Sequence, residues 1–409
     1  MLPGPSSRAF FPASALSILE PTQAPWIRPG VVVHEPAAPV DELLAAFAGE
    51  IAARGFLVAG FVERSRDDCT EVVDLAKGVI TATAMEAAAR SLRGAMRDDA
   101  DLVVISRFAA LAQAAHDVDA AVADGMSAGM PVLTAIAGQH VRSWLDFAGP
   151  GGAMLSPDLE ALWRWWGPER LYRDLALGVA DDSVRRIVGG PRWLMVEGPA
   201  GAGLAYLPAG GKDGGNRLPV FRQMSLRQLA GLSRSWDPLE MAVGIAAINA
   251  HYNRFDSDGR AGNGVKSFRN LPGQVVVVGA FPGVDGILPR RVVIEADPKP
   301  GEFPIVAMDT LLPGCAAAVV NSTALVNRSL PRIIRLAHNR PLALIGPSTP
   351  LTPRLHDYGI TVLGGLVVDD AAGLAAAIRA GALPREFGRF GRFLHRSSAP
   401  PLPQPEDIA

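Results

Sequence analysis

The chain has 409 residues, 49% of them hydrophobic and 20% charged, with a net charge of −2. That length exceeds one ordinary core and predicts roughly two or three domains, and the composition excludes wholesale disorder. The near-zero charge argues against nucleic acid as a partner. No apolar run reaches the ~18 residues of a membrane span.

Cys69 and Cys315 are too far apart in sequence, and too few, for a disulfide framework or a Cys-type zinc site, which fits a reducing cytoplasm. Residues 1–28, rich in Pro, Ser and Ala, read as a flexible arm without the apolar core of a secretory signal. Val31–Val33 is a short strand. Asp41 opens a helix that gathers Leu43, Leu44, Phe47 and Ile51 on one face and stops at Gly55. Further strands follow at Phe56–Val62, Leu102–Ile105 and Pro131–Ile136, with a helix containing Val118, Ala121 and Met126 before the last. Strands alternating with helices predict a parallel α/β sheet over about residues 30–150. The helices after it carry Trp144, Phe147, Leu162, Trp163, Trp165 and Trp166.

Gly55-Phe56…Ala59-Gly60, Asp74-Leu75…Gly78, Ser106-Arg107-Phe108, Gly129-Met130-Pro131-Val132-Leu133 and Trp144…Phe147-Ala148-Gly149 carry a resemblance. They resemble a bacterial family of unknown function, found beside molybdate-transport genes and related in fold to P-loop nucleotide hydrolases. The chain departs from that family at Phe108-Ala109-Ala110-Leu111-Ala112, where the family's lysine and acid are missing. Phosphate cradling needs a Gly-rich turn with Lys and Ser or Thr after the first strand. His34-Glu35-Pro36-Ala37-Ala38-Pro39 stands there instead, and its two prolines remove backbone donors. The resemblance therefore implies a degenerate nucleotide-hydrolase-like domain over 29–166, a scaffold or partner-docking module.

Pro191–Glu197 reads as a strand. The glycines at 198, 201 and 203 read as a hairpin turn, because no helix pattern opens after Gly203 as a dinucleotide loop requires. A helix is predicted over 225–232. Asp237 and Pro238 then start a nearly all-apolar helix running to Asn253, which predicts burial. Asn249 near its far end is either a cap or a ligand contact. Residues 254–270 read as a polar linker. Asp256-Ser257-Asp258 lacks the closing Glu of a calcium loop.

From Gln274 the alternation returns, with strands at 274–279, 291–295, 316–320, 342–345 and 360–363 and clear helices at 330–337 and 371–380. The run Val275–Val278 is a strand buried on both faces. In a parallel sheet the turns Gly279–Gly283, Glu295–Asp297, Asn321–Thr323 and Gly346–Pro350 converge on one edge, where ligands bind. From residue 388 the chain reads as a Pro-rich tail, its basic and aromatic residues snorkelling over the surface.

Gly203-Leu204-Ala205-Tyr206, Gly244–Ala250, Gly279-Ala280-Phe281-Pro282, Thr323–Asn327, Gly346–Pro350 and Tyr358-Gly359 carry a second resemblance. In order and spacing they resemble a family named for heavy-metal chelation. The chain departs from it at Val320-Asn321-Ser322, where the family often has Thr-Gly. The resemblance implies an enolase-N-terminal-like α+β lobe over 167–270, a Rossmann-like domain over 271–387, and a ligand cleft between them. The candidate ligand residues are Asn249, Gly279, Phe281, Gly283, Glu295, Asp297, Thr323, Asn327, Gly346 and Ser348.

The seven histidines show no i, i+4 pair and no neighbouring Cys; His251, two residues after Asn249, is the best metal candidate among them. The reading is an α/β protein that binds a metal ion, metal complex or small oxyanion, with roles in metal homeostasis or cofactor assembly, molybdenum included. Two alternatives stay open: an enzyme using Glu295 or Asp297 on a small polar metabolite, and a partner-docking role for the N-terminal domain. The sequence leaves the cofactor open, with a metal ion as the candidate, and a homo-oligomer is compatible with it.

Overall fold

The structure is a computed structural model that describes residues 29–66, 69–75, 78–80, 100–106, 130–148, 152–208 and 217–398. The predicted N-terminal arm and the helix around Val118 lie outside the described residues, as does the chain beyond Ser398.

The first sheet has seven strands: β1 (Gly30–His34), β2 (Val58–Arg66), β3 (Cys69–Asp74), β4 (Gly78–Ile80), β5 (Leu102–Ile105), β6 (Val132–Ala137) and β7 (Ala153–Leu155). Their order is β4-β3-β2-β5-β6-β1-β7. The stretch from β2 to β7 is parallel, as the alternating pattern predicts, and β3 and β4 extend it antiparallel. The helix Val40–Ala53 covers one face with Val40, Leu44, Phe47, Ala48 and Ile51. The helix Leu159–Trp166 starts at Asp158, whose carboxylate accepts from the Ala161 amide at 2.7 Å. It places Trp163 edge-on to Phe47 and Trp166 edge-on to Phe56, at 5.4 and 5.2 Å between ring centroids.

A small antiparallel sheet follows: β8 (Arg186–Gly189), β9 (Trp193–Glu197) and β10 (Ala202–Tyr206). The glycines at 198 and 201 turn the β9–β10 hairpin, as read from the sequence. The long helix Pro238–Tyr252 packs on β10, and twelve of its residues are buried. Asp237 caps it, accepting from the amides of Leu239 and Glu240. Gly203 sets the closeness of this contact. A Cβ there would meet the Ala246 carbonyl and the Ala250 amide at 2.2 Å each, so any side chain forces helix and strand apart.

The third sheet has eight strands: β11 (Arg260–Ala261), β12 (Val275–Val278), β13 (Arg291–Glu295), β14 (Phe303–Pro304), β15 (Ala317–Asn321), β16 (Leu342–Ile345), β17 (Val362–Val368) and β18 (Gly391–Ser397). Their order is β11-β18-β17-β16-β15-β12-β13-β14. From β17 to β14 every pairing is parallel, so the turns after β12, β13, β15 and β16 lie along one edge.

Two predicted features differ. Gly391–Ser397 is no frayed tail but a strand, paired antiparallel with β17 along seven residues. Arg392 pairs with Asp369 and Arg396 with Asp258, while Leu394 between them is buried. The polar linker is also partly core: Ser257, Val265 and Phe268 are buried, and Arg260–Ala261 pairs with β18. One contiguous apolar cluster runs from Phe47 and Trp163 through the long helix to Leu325 and Leu363, joining all three sheets. Among the described residues, no helix is long and apolar enough to cross a membrane.

Candidate functional site

The long helix and the carboxyl edge of the third sheet meet at Asn249, which is fully buried. Its Nδ2 donates to the carbonyls of Leu204 and Ser348, at 3.0 and 2.9 Å. Both partners are acceptors only, which fixes the amide's orientation and turns Oδ1 away from them. Among the described residues, Asn249 Oδ1 and the buried Ser348 Oγ have no hydrogen-bond partner. One helical turn on, Asn253 holds the same loop. Its Nδ2 donates to the carbonyls of Thr349 and Leu366, at 2.9 and 3.1 Å, and its Oδ1 accepts from the Leu351 amide at 2.8 Å.

From Ser348 a belt of hydrogen bonds crosses the strand ends. The Ser348 amide donates to Ser322 Oγ at 3.2 Å, and the Ser322 amide to the Ile345 carbonyl at 2.8 Å. Gly346, in the turn after β16, lies against this hydroxyl: a Cβ there would sit 2.3 Å from Ser322 Oγ, and its φ is +139°. Next, Asn321 accepts from the Thr323 amide at 3.1 Å and donates to the Ala280 carbonyl at 3.4 Å. The Ala280 amide reaches Glu295 Oε1 at 2.5 Å, and the Ala296 amide reaches Oε2 at 3.2 Å.

The structure thus brings together Asn249, Gly279, Glu295, Thr323, Gly346 and Ser348 of the predicted residues. It does not bring in the others. Phe281 packs on the apolar cluster of Val277 and Val284. Gly283 opens the turn Val284–Ile287 with φ +83°, and Asp297 stands exposed past β13. Asn327 closes its own turn, accepting from the Ser329 amide and hydroxyl at 3.0 and 2.6 Å. His251 Nδ1 faces the Ala180 amide at 3.4 Å, and burial lowers the ring's pKa. Among the described residues no group of three or more His, Cys, Asp or Glu could hold a metal ion, so His251 stands without co-ligands.

Two further contacts between distant parts of the chain escape a reading by sequence. Arg328, in a left-handed conformation (φ 61°), donates to the carbonyls of Ser233 and Ser235 at 3.3 and 2.8 Å. Its guanidinium lies 4.3 Å from the ring centre of Trp236, which is 75% exposed. Asp174, fully buried, is the centre of a second network. Arg54 donates to it at 2.9 Å, Tyr358 at 3.1 Å, and Arg354 also pairs with it. Burial pushes the Asp174 carboxyl up, against the pull of both guanidinium groups. Arg54 comes from the first sheet's helix, Asp174 from the helix Leu171–Leu177, and Arg354 and Tyr358 from the third sheet's connections. No local pattern signals such a contact, because its partners lie 120 to 184 residues apart.

A cavity of about 420 Å³ lies at the carboxyl ends of β1 and β6, lined by His34, Glu35, Gly138 and Gln139 among others. Among the described residues, none of those lining it is Lys or Arg.

This architecture matches known families in two halves. Residues 172–252 and 269–396 match two family models that share the description "Putative heavy-metal chelation". Residues 78–165 match a model described as a protein of unknown function. A solved structure from the family matched by residues 269–396, a protein of unknown function from Desulfitobacterium hafniense DCB-2, is 28% identical. It covers 56% of this chain and 97% of its own, at a TM-score of 0.50.

Among curated proteins, the Molybdenum import ATP-binding protein ModC 2 of Bradyrhizobium diazoefficiens is 26% identical over 161 residues, covering 34% of this chain and 18% of its own length. An uncharacterized protein of Methanocaldococcus jannaschii is 27% identical over 169 residues, 38% of this chain and 65% of its own. The chain spans less than two thirds of either curated relative. The C-terminal half therefore resembles the heavy-metal chelation family, and the N-terminal part resembles the family of unknown function matched there.

Proposed function

We propose that the seam between the long helix and the carboxyl edge of the third sheet binds a small metal-containing ligand, as an oxyanion or a preformed complex. One observation carries this reading: the hydrogen-bonded belt ends in two buried polar atoms without partners, Asn249 Oδ1 and Ser348 Oγ. A buried polar group left unpaired costs about 1–3 kcal/mol; Ser348 Oγ can donate to an oxyanion oxygen, whereas Asn249 Oδ1 accepts only and calls for a donor such as a protonated oxygen or the polar rim of a complex.

The donor set decides the form of the metal. Soft heavy-metal ions select thiolate and imidazole, and the belt, whose amides already donate within it, offers the hydroxyls of Ser322 and Ser348. These groups suit the oxygens of an oxyanion or the polar rim of a complex. They do not fit a bare soft cation. Glu295, with both carboxylate oxygens taken by backbone amides, holds the turn after β12 and is poorly placed as an acid or base.

The division into units at 29–166, 167–270 and 271–387, the last two enolase-N-terminal-like and Rossmann-like, belongs to this proposal. So does the choice of molybdate as first probe, motivated by the name of the molybdenum-import relative. Titration calorimetry of the full chain with molybdate, tungstate, zinc and nickel tests it. The expected result is saturable micromolar binding of an oxyanion, weakened in Ser348→Ala. Absence of micromolar binding to all four would overturn it.

A further inference from the structure

A cavity of about 590 Å³ lies at the opposite end of the third sheet's strands from the belt. It opens at the amino ends of the strands, beside Pro341 and Leu342 where β16 begins. A four-residue strand separates it from the turn after β16, a span of about 13 Å. Its volume falls within the range of small-molecule sites, about 300–1,000 Å³.

Two separate parts of the chain build it. Glu160, Trp163 and Arg164 come from the helix Leu159–Trp166, which packs against the first sheet. Arg335, His338 and Arg340 come from the end of the helix Leu330–Leu336 and the turn after it. The inner wall is aromatic, with Trp163 and Tyr358 buried edge-on at 5.8 Å between centroids.

The rim carries Arg164, Arg335 and Arg340 against the carboxylates of Glu160 and Asp357, a net cationic excess whose charges are unequally matched. Arg335 is paired with Glu169, and Asp357 with Arg54. Arg164 instead meets His338 Nε2 at 3.3 Å, and Arg340 reaches only the Pro313 carbonyl at 3.4 Å. Neither Arg164 nor Arg340 has a carboxylate partner among the described residues, and both are exposed and free to reorient. Two unmatched guanidinium groups above an aromatic wall recognise an organic anion: the fork geometry takes phosphate or carboxylate oxygens, and the wall takes an apolar body.

We infer that this cavity is a second binding site, for a small organic anion carrying phosphate or carboxylate groups, bound across the joint between the two parts. Such a ligand bridges Arg164 on one side and Arg340 on the other, so it stabilises their docking as well as binding to it. The site shares no residue with the belt and does not depend on the proposed function.

Titration calorimetry and thermal unfolding of the full chain with inorganic phosphate, ATP and citrate test the inference. Saturable binding of ATP or citrate below about 1 mM is expected, tighter than inorganic phosphate, with a rise in the unfolding temperature. Tighter ATP than citrate assigns a phosphorylated ligand, and the reverse order a polycarboxylate. Arg164→Ala combined with Arg340→Ala should weaken binding at least about tenfold while leaving the unliganded unfolding temperature nearly unchanged, since both side chains are exposed. Ser348→Ala should leave this binding intact, which separates it from the belt. The inference is wrong if none of the three probes binds, or if binding is the same in the double variant.

Discussion

Asn253→Ala tests how the candidate site is held. The side chain is fully buried and makes three hydrogen bonds to the loop and strand that carry Thr349, Leu351 and Leu366. Truncation orphans one amide and two carbonyls in the interior. Each orphaned group costs about 1–3 kcal/mol, and local relaxation recovers part of the sum, so a loss of about 3–5 kcal/mol is expected. Asn253→Asp is the informative control. It keeps an acceptor for the Leu351 amide and sets carboxylate oxygen against two carbonyls, so it should be no milder than alanine. Urea unfolding followed by circular dichroism measures both variants, read as a shift in midpoint at constant slope. A loss below about 1 kcal/mol in Asn253→Ala would refute the claim that this side chain pins the loop after β16.

Three other outcomes follow from the same geometry. Asp174→Ala leaves the part-buried Arg54 and Arg354 without their shared carboxylate, Arg54 keeping Asp357, and should cost about 3 kcal/mol in thermal or urea unfolding; Asp174→Asn should recover only a small part. Gly203→Ala drives a methyl group into the backbone of the long helix and should lower the melting temperature more than Gly314→Ala, where a Cβ meets open space. The His251 ring has its pKa lowered by burial from an ordinary 6.5, so the native state favours the neutral form. Its contribution to stability is complete above about pH 6.5 and is lost as pH falls through the lower folded value. His251→Gln should therefore flatten the acid limb of a stability–pH profile, and an unchanged limb would discount the ring's burial as its cause.

Much of the fold is legible in the sequence because its signals are local. Val275–Val278 reads as a doubly buried parallel strand from four consecutive apolar residues, and it is one. Asp237-Pro238 announces the long helix by cap chemistry alone. The convergence of the turns after β12, β13, β15 and β16 follows from strand order, and Asn249 does face the Ser348 turn. The missed parts depend on distant partners. Gly391–Ser397 shows no apolar alternation, and its arginines suggest solvent until Asp369 and Asp258 are placed beside them. Asn253 reads as a helix end, because the three groups it satisfies lie 96 to 113 residues away. The candidate ligand residues divide the same way: Gly346 and Ser348 depend on strand-end position, whereas Asn327 and Phe281 are turned away by local hydrogen bonding and packing.

The most direct measurement is a crystal of the full chain soaked in molybdate, with data collected at the molybdenum edge. The account predicts an anomalous peak at the seam, its oxygens within hydrogen-bonding reach of Ser322 and Ser348. A peak found only among Arg164, His338 and Arg340, or none at a concentration that saturates the protein in solution, would contradict it.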